Sequence, residues 1–349
     1  MRILALDLGK RKSVACIYEG IGDEAVYRSV QTDPTSLHDL VVELGPDRVV
    51  FEICPAAGWL ADLVRALQIE LQVVNVAHDA WRWRNVRSKS DRLDALKLAQ
   101  LSAMDQLALV HVPERDVRQW RSLIAYRRRI VGRRTQVQNT IRAVLDREGL
   151  TMPAGQKGWS SASIERLRGQ ARPLAEVGLD ALWRGQLWLE LRVLEAVNVM
   201  LVELEMKLDA LAEADVRCQR LMTIPGVGHR LAEAVAATLD RPERFRNGRQ
   251  VGAYAGLTPK RYQSGQSDRQ GRISRAGNTL LRSLLVEVAW IGLRYNAWMR
   301  RVYETARRGS AARKKTAIVA VARRLLVVCW AMLRDGTDWR TPTCVQVTT

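Results

Sequence analysis

The first 110 residues alternate short apolar runs with segments of helical period. The runs "RILALDL" and "SVACIYEG" flank the polar "GKRK" and read as two strands joined by a hairpin-like turn, with "EAVYRSVQT" as a third strand of a meander. After the break "DPTS" the pattern switches to helix in "LHDLVVELG", to strand in "RVVFEIC", to helix in "WLADLVRALQ" and to strand in "LQVVNV". A further helix starts near Ser90 and runs through "DRLDALKLAQLSA". Three strands followed by alternating strands and helices predict a mixed sheet with helices packed on it.

Residues 114–147 contain no proline and predict one long helix with apolar positions at Leu123, Ile130, Val137, Ile141 and Val144, interrupted by Arg127 and Arg134. It carries ten arginines against three acids, a positive rod that either packs on its own domain or faces nucleic acid. "TMPAGQKGWSSAS" breaks the period and reads as a linker. A second long helix follows, with Leu194, Val197, Leu201, Leu204, Leu208 and Leu211 at the three- and four-residue steps of a coiled-coil seam and acids on its outer face. The basic and acidic helices can pair within one chain or between protomers. From Arg217 the pattern is compact and helical again. The expected architecture is α/β plus α: a mixed-sheet domain over 1–110, a helical coiled-coil and linker region over 111–215, a mostly helical domain over 216–335, and a frayed tail over 336–349.

Charge narrows the partner class. Fifty-five Lys and Arg against 37 Asp and Glu give a formal charge of +18 over 349 residues, which points to a polyanion, with nucleic acid ahead of an anionic membrane surface. Asp7 and Lys10 leave no uncharged run for a signal peptide, and Arg323 and Arg324 cut the most apolar stretch short of a membrane span, so a cytoplasmic protein is expected. Cys16, Cys54, Cys218, Cys329 and Cys344 lie far apart without ligand spacing and read as reduced thiols.

The chemistry-bearing positions are acids in apolar surroundings. Asp7 interrupts "ILALDLG" and Glu52 ends "RVVFEIC", where an unpaired carboxylate is costly. Asp91 and Asp94 are three apart on the predicted helix and project from one face. Converging carboxylates repel unless a divalent cation bridges them, and Mg²⁺ or Mn²⁺ suits oxygen-only ligands, with two ions about 4 Å apart serving phosphodiester chemistry. Each acid alone reads equally as a cap, a surface residue or half of an ion pair.

In the last third, Pro225, Gly226 and Gly228 precede "HRLAEAV" and predict a tight turn of helix-hairpin-helix type that aims backbone N–H groups at a phosphate, or else an ordinary interhelical turn. His229 beside it reads as phosphate-facing or structural. "PKRYQSGQSDRQG", residues 259–271, reads as a solvated basic loop in which Gly265 lets a backbone approach closely. Lys260, Arg261, Arg269, Arg272 and Arg275, with Arg244, Arg246, Arg249 and Arg282, form a phosphate-binding crowd. Trp81 and Trp83, interleaved with Arg82, Arg84 and Arg87, fit base stacking or a core, the latter being the better reading.

The order of these features carries a resemblance. Aspartate in the first strand, glutamate at the end of the fourth and a D-x-x-D helix resemble the RuvC-like branch of the ribonuclease H fold. "LALDLGKRKSVACIYEG", "FEICPAAGWLADLVRAL", "KSDRLDALKLAQL", "IPGVGHRLAEAVAATLD", "RFRNGRQVGAYAGLTPKRYQSG" and "GRISRAGNTLLRSLL" together resemble the DEDD-type insertion-sequence transposases, relatives of the pilin-gene invertase that include bridge-RNA-guided recombinases. The resemblance is weakest between about 150 and 215. It departs from the family at "ICPAAGW", where many relatives have a threonine-glycine turn, and at "VVNV", which lacks a following proline.

The resemblance implies a metal-binding tetrad of Asp7, Glu52, Asp91 and Asp94 and a catalytic serine at Ser264, with Tyr262 in reserve and Ser267 a bystander. It implies a mobile-element recombinase acting on donor and target DNA in a bacterial cytoplasm at the nucleoid, through a covalent phosphoserine, guided by a noncoding RNA and working as a dimer or tetramer. Two other readings remain open: a RuvC-like junction nuclease that uses water, and a non-enzymatic nucleic-acid-binding protein.

Overall fold

A computed structural model describes residues 1–20, 25–75, 90–264 and 267–341. It divides into two compact units, 1–119 and 120–349. The first unit is a five-stranded sheet with helices on both faces. Its elements are β1 (Ile3–Asp7), β2 (Lys12–Tyr18), β3 (Val26–Gln31), α1 (Pro34–Leu44), β4 (Arg48–Glu52), α2 (Ala57–Ala66), β5 (Glu70–Val74) and α3 (Asp91–Ala103). The strand order is β3-β2-β1-β4-β5. β1, β2 and β3 are the antiparallel meander that the sequence predicts, whereas β4 lies parallel to β1 and β5 parallel to β4.

Parallel neighbours require crossovers, and α1 and α2 supply them. The break at "DPTS" is the start of α1: the Asp33 carboxylate accepts from the Ser36 N–H at 2.9 Å and Pro34 occupies the first turn, while Gly45 ends the helix in the left-handed region at φ 51°.

Strand alternation sorts the core into two layers. Leu4, Leu6, Val49, Phe51 and Val73 are buried with Leu37, Val41, Leu60 and Val64 of α1 and α2. Ile3, Ala5, Val50 and Val74 are buried with Ala95, Leu98 and Ala99 of α3 on the other face. A polar latch fixes the direction of α3. Arg48, at the start of β4, donates to the Ser102 carbonyl at 2.9 Å and pairs with Glu70 at 2.9 Å, and the Ser102 hydroxyl donates to Gln72 at 2.7 Å. The C-terminal end of α3 is therefore held at the entry ends of β4 and β5, which leaves its first turn at their exit ends.

The second unit is helical apart from one hairpin. α4 (Arg115–Arg147), whose first residues belong to the first unit, is followed by a 3-10 turn at Gly155–Trp159, α5 (Ser161–Gln170), α6 (Leu182–Ala214), α7 (Val216–Met222), α8 (His229–Leu239), α9 (Gly248–Tyr254), β6 (Pro259–Ser264), β7 (Ser267–Ile273), α10 (Thr279–Tyr295), α11 (Ala297–Arg307) and α12 (Lys314–Asp335). The stretch expected as a linker is part folded, because Ser160 caps α5 by accepting from the Ser163 N–H.

α4 and α6 pair within the chain. Ile124 packs with Leu208, Ile130 with Val197 and Leu201, and Val137, Ile141, Val144 and Leu145 with Leu187, Leu191 and Leu194, an antiparallel order. Arg127, which interrupts the seam in the sequence, is met there by Glu205 of α6. The outer side of α6 keeps Val199, Val202 and Met206 exposed, and they line a groove of about 470 Å³ with Ile164 and Arg168 of α5.

The core of α7–α12 is continuous. α12 belongs to a stretch, Ala311–Asp335, that is long and apolar enough to cross a membrane by length and composition alone. Here Ile318, Val321, Leu325, Leu326 and Cys329 bury it among its neighbours, and Trp330 donates to the Pro242 carbonyl at 2.8 Å. Burial pushes the Cys16 thiol up to about 11 and those of Cys218 and Cys329 up to about 12, so all three are held as inert thiols. Of the tail, Trp339 packs edge-on against Trp298 and its backbone N–H donates to the Thr223 hydroxyl. Residues 342–349, Cys344 among them, lie outside the described residues, as do Trp81, Arg82, Trp83, Arg84 and Arg87.

Candidate functional site

Two of the four sequence-predicted acids are delivered to one place by strand parity. Asp7 has the parity of Ile3 and Ala5, and Glu52 that of Val50, so both belong to the α3 face of the sheet. β1 and β4 are parallel neighbours in a register that sets Leu6 against Phe51. Asp7 and Glu52 thus end adjacent strands side by side at the carboxyl edge, where open α/β sheets bind ligands.

α3 brings the second pair. Ser90 caps it by accepting from the Leu93 N–H, and Asp91 and Asp94 fill its first turn, where the helix dipole favours negative charge. Lys97, one turn on, reports the proximity: burial pushes its ammonium down while Asp94 and Glu52 pull it back up. Asp94 is half-buried and Asp91 exposed.

The donor set is all carboxylate oxygen, which fits a hard divalent ion. Among the described residues, however, no three His, Cys, Asp or Glu side chains stand close enough together to grip one ion. The backbone collects the strand ends and the helix turn from which these acids project.

In the second unit the stretch 259–271, expected as a loop, is an antiparallel hairpin in which Ser264 lies opposite Ser267. The signal was in the sequence: two residues, Gly265 first, separate the strands, a spacing of the II′ hairpin type. Gly265 and Gln266 lie outside the described residues. All six residues of β6 are exposed.

The arginine crowd separates into classes. Arg244 donates to the carbonyls of Leu239 and Thr238 at the end of α8 and stacks 4.2 Å from the Phe245 ring and 4.7 Å from that of Tyr254. Arg121 donates to Ala237 and Thr238 in the same turn. Two guanidiniums therefore cap one helix. Arg282 is likewise spent on the carbonyls of Ala255 and Ala276. Arg261 is bound by Asp268 through two hydrogen bonds of 2.8 and 2.6 Å, which hold the Asp268 carboxyl below its usual range and make it a poor base. Arg246, Arg249, Lys260, Arg269, Arg272 and Arg275 are exposed, with Arg275 in the left-handed region at φ 56°.

The turn at Pro225–Gly228 joins α7 to α8. Gly226 sits at φ 95°, and a Cβ there would lie 3.4 Å from the Gly292 Cα of α10, so its missing side chain also serves packing. Gly228 caps α8 from an extended backbone, with open space where a side chain would be. Acids of α6 crowd this helix start: His229 lies 3.5 Å from Asp209 and 3.7 Å from Glu213, and Arg230 is bound by Asp209.

A model described as the transposase IS116/IS110/IS902 family matches residues 218–304, and a DEDD transposase model of the IS110 type matches residues 4–149. The putative transposase y4rJ of Sinorhizobium fredii is 30% identical over 314 residues, covering 83% of this chain and 78% of the relative. The chain belongs to this transposase family. Other members agree end to end: the transposase for insertion sequence element IS1111A of Coxiella burnetii is 28% identical over 97% of this chain and 92% of its own length. The pilin gene-inverting protein of Moraxella lacunata is 32% identical over 36% of this chain and 39% of its own length. Within the IS110-type transposase the two matched spans hold the acidic strand ends and the hairpin, and α5 and all of α6 fall between them. Membership makes the chain a transposase or recombinase, and the DEDD type of its first domain points to divalent metal.

Proposed function

We propose that the chain is the recombinase of a mobile insertion sequence, cutting and rejoining donor and target DNA with Asp7, Glu52, Asp91 and Asp94 as holders of Mg²⁺ or Mn²⁺ and Ser264 as nucleophile. The observation that carries this reading is the placing of Asp7 and Glu52 at adjacent strand ends beside the acidic first turn of α3, within a first domain of RuvC-like order. Divalent ions would supply charge neutralisation at the scissile phosphate and lower the barrier to removing the serine proton.

The chain's own residues do the rest. The Ser264 oxygen bonds to phosphorus as the bond from phosphorus to the deoxyribose oxygen breaks. The serine proton is lost to a base, and the departing deoxyribose oxygen takes up a proton from water and leaves as a hydroxyl. The phosphoserine keeps the ester bond energy, so a new deoxyribose hydroxyl can reverse the step and join a different strand. Asp268, held by Arg261, is a poor acceptor for that proton. Lys260, Arg269, Arg272 and Arg275, with the backbone at Gly226, Gly228 and Gly265, hold phosphates. A noncoding RNA selects the DNA by pairing, and the protein works in the cytoplasm as a homo-oligomer.

The test uses full-length protein with any RNA that copurifies, Mg²⁺ and DNA carrying the element ends, read as protein-DNA adduct on a denaturing gel. Wild type forms an adduct that Ser264→Ala abolishes, and Asp7→Asn lowers both adduct and strand cutting about 10²- to 10³-fold, the scale of losing one charge-stabilising group. Cutting without any Ser264-dependent adduct overturns the nucleophile in favour of water. Unchanged activity in Asp7→Asn overturns the metal site.

A further inference from the structure

The register of the hairpin divides it into two faces of different chemistry. Opposed residues in an antiparallel ladder share a face, and neighbours along a strand alternate. Ser264 is opposite Ser267 and Tyr262 opposite Arg269, so these four share one face, whereas Arg261, Gln263 and Asp268 share the other. Two contacts that do not depend on the register agree with it. The Arg261–Asp268 pair closes within the second face. A Cβ built on Gly271 would meet the Tyr262 ring at 2.8 Å, which puts that ring over the first-face position next beyond Arg269. The register shift between Pro259 and Arg261 breaks the alternation there, so Lys260 is assigned to neither face.

The two faces differ in what their cations are free to do. On the second face the guanidinium of Arg261 is matched to a carboxylate in the fork geometry it would otherwise offer a phosphate. On the first, Arg269 is exposed and makes no side-chain hydrogen bond or ion pair among the described residues. It lies diagonally across the ladder from Ser264, a spacing of about 7–8 Å between backbones that a long side chain spans. Ser267 stands directly opposite the same serine.

We infer that Arg269 is a further catalytic residue, its guanidinium gripping the scissile phosphate that Ser264 attacks, with the Ser267 hydroxyl as a second donor to that phosphate and Arg261 left out. Arg269 neither gives nor takes a proton; it offers two parallel N–H donors to oxygens whose charge grows as the serine–phosphorus bond forms and the sugar–phosphorus bond breaks. The Tyr262 ring lies over Gly271 on the same face.

The inference rests on Ser264 as nucleophile, and the experiment separates the two. Adduct formation is followed at saturating DNA for wild type, Ser264→Ala, Ser267→Ala, Arg269→Ala, Arg269→Lys and Arg261→Ala, with DNA affinity and thermal unfolding measured on each. The expected result is an adduct rate about 10²-fold lower in Arg269→Ala at near wild-type unfolding temperature. Arg269→Lys should recover part of it, Ser267→Ala should lose less than Arg269→Ala, and Arg261→Ala should stay within a few-fold of wild type. If Ser264→Ala still forms adduct, the nucleophile reading fails whatever Arg269 does. If Ser264→Ala abolishes the adduct while Arg269→Ala matches wild type at saturating DNA, Arg269 is only a backbone clamp and the inference alone is overturned. Equal losses in Arg261→Ala and Arg269→Ala would overturn the division into faces. A destabilised Arg269→Ala shifts the decision to Arg269→Lys, whose wild-type rate would also overturn it.

Discussion

The carboxyl edge of the first unit and the hairpin of the second hold their chemistry in opposite ways. Asp7 and Glu52 end strands whose preceding residues, Leu6 and Phe51, are wholly buried and whose sheet is covered on both faces. Ser264 ends a strand with every side chain exposed, on a ribbon of two strands. Two-stranded ribbons are marginal by themselves. The backbone that carries the acids is thus fixed by the core beneath it, whereas the serine sits on a ribbon that no core holds. A catalytic group on a stiff base can be read from the core around it; one on a ribbon must be read from register and pairing.

The largest expected effect tests that contrast directly. Phe51→Ala should destabilise the protein by about 3–5 kcal/mol in urea unfolding, while Tyr262→Ala on the exposed ribbon should cost less than about 1 kcal/mol. Comparable losses would mean that the ribbon is built into a core after all.

Next in size is a pH effect within the second unit. Glu233 of α8 is buried, and burial pushes its carboxyl up to about 7 against the pull of Arg230 and Arg127, with Asp209 and Glu205 adding to the rise. Its Oε1 lies 3.1 Å from Arg230, while Oε2 has no hydrogen-bond partner among the described residues. The folded value exceeds the unfolded one, so the contribution is complete below about 4.5 and is lost as pH rises to about 7. Stability should fall across that window by up to roughly 3 kcal/mol, and Glu233→Gln should flatten this part of a Tm-against-pH curve. A curve of unchanged slope in the variant would remove Glu233 as the cause.

Smaller again is the split among arginines. Arg244→Ala removes two carbonyl caps and two ring contacts and should cost about 1–3 kcal/mol of stability. Arg246→Ala should leave stability within about 0.5 kcal/mol and lower the salt slope of DNA binding by about one phosphate's worth. Equal stability losses would show that exposure does not separate the structural arginines from the free ones.

Much of this fold was legible because its signals are local. The meander, the crossovers and the start of α3 follow from period, from "DPTS" and from Ser90, and the parity that unites Asp7 with Glu52 is already in the alternation of their strands. What the sequence hid is non-local. Arg244 and Arg246 look alike in "RFRNG", and only the end of α8 distinguishes them. Arg261 and Asp268 are seven residues apart, a meaningless spacing until the hairpin folds. The hairpin itself was obscured by its polarity, because strand signals rest on one buried face and this ribbon has none. The pairing of α4 with α6 in one chain was left open by matching seams, and the burial of Leu208 with Ile124 decides it.

That pairing has a consequence for how the chain is made. The separation between partners grows from 42 residues at Leu145 and Leu187 to 84 at Ile124 and Leu208, and each doubling of a closed loop adds about 0.6 kcal/mol of entropic cost. The two rods should therefore zip from the α5 end toward the α8 end, and only after α6 has left the ribosome. The long basic helix must wait, newly made and with its apolar seam bare, for a partner synthesised some forty residues later.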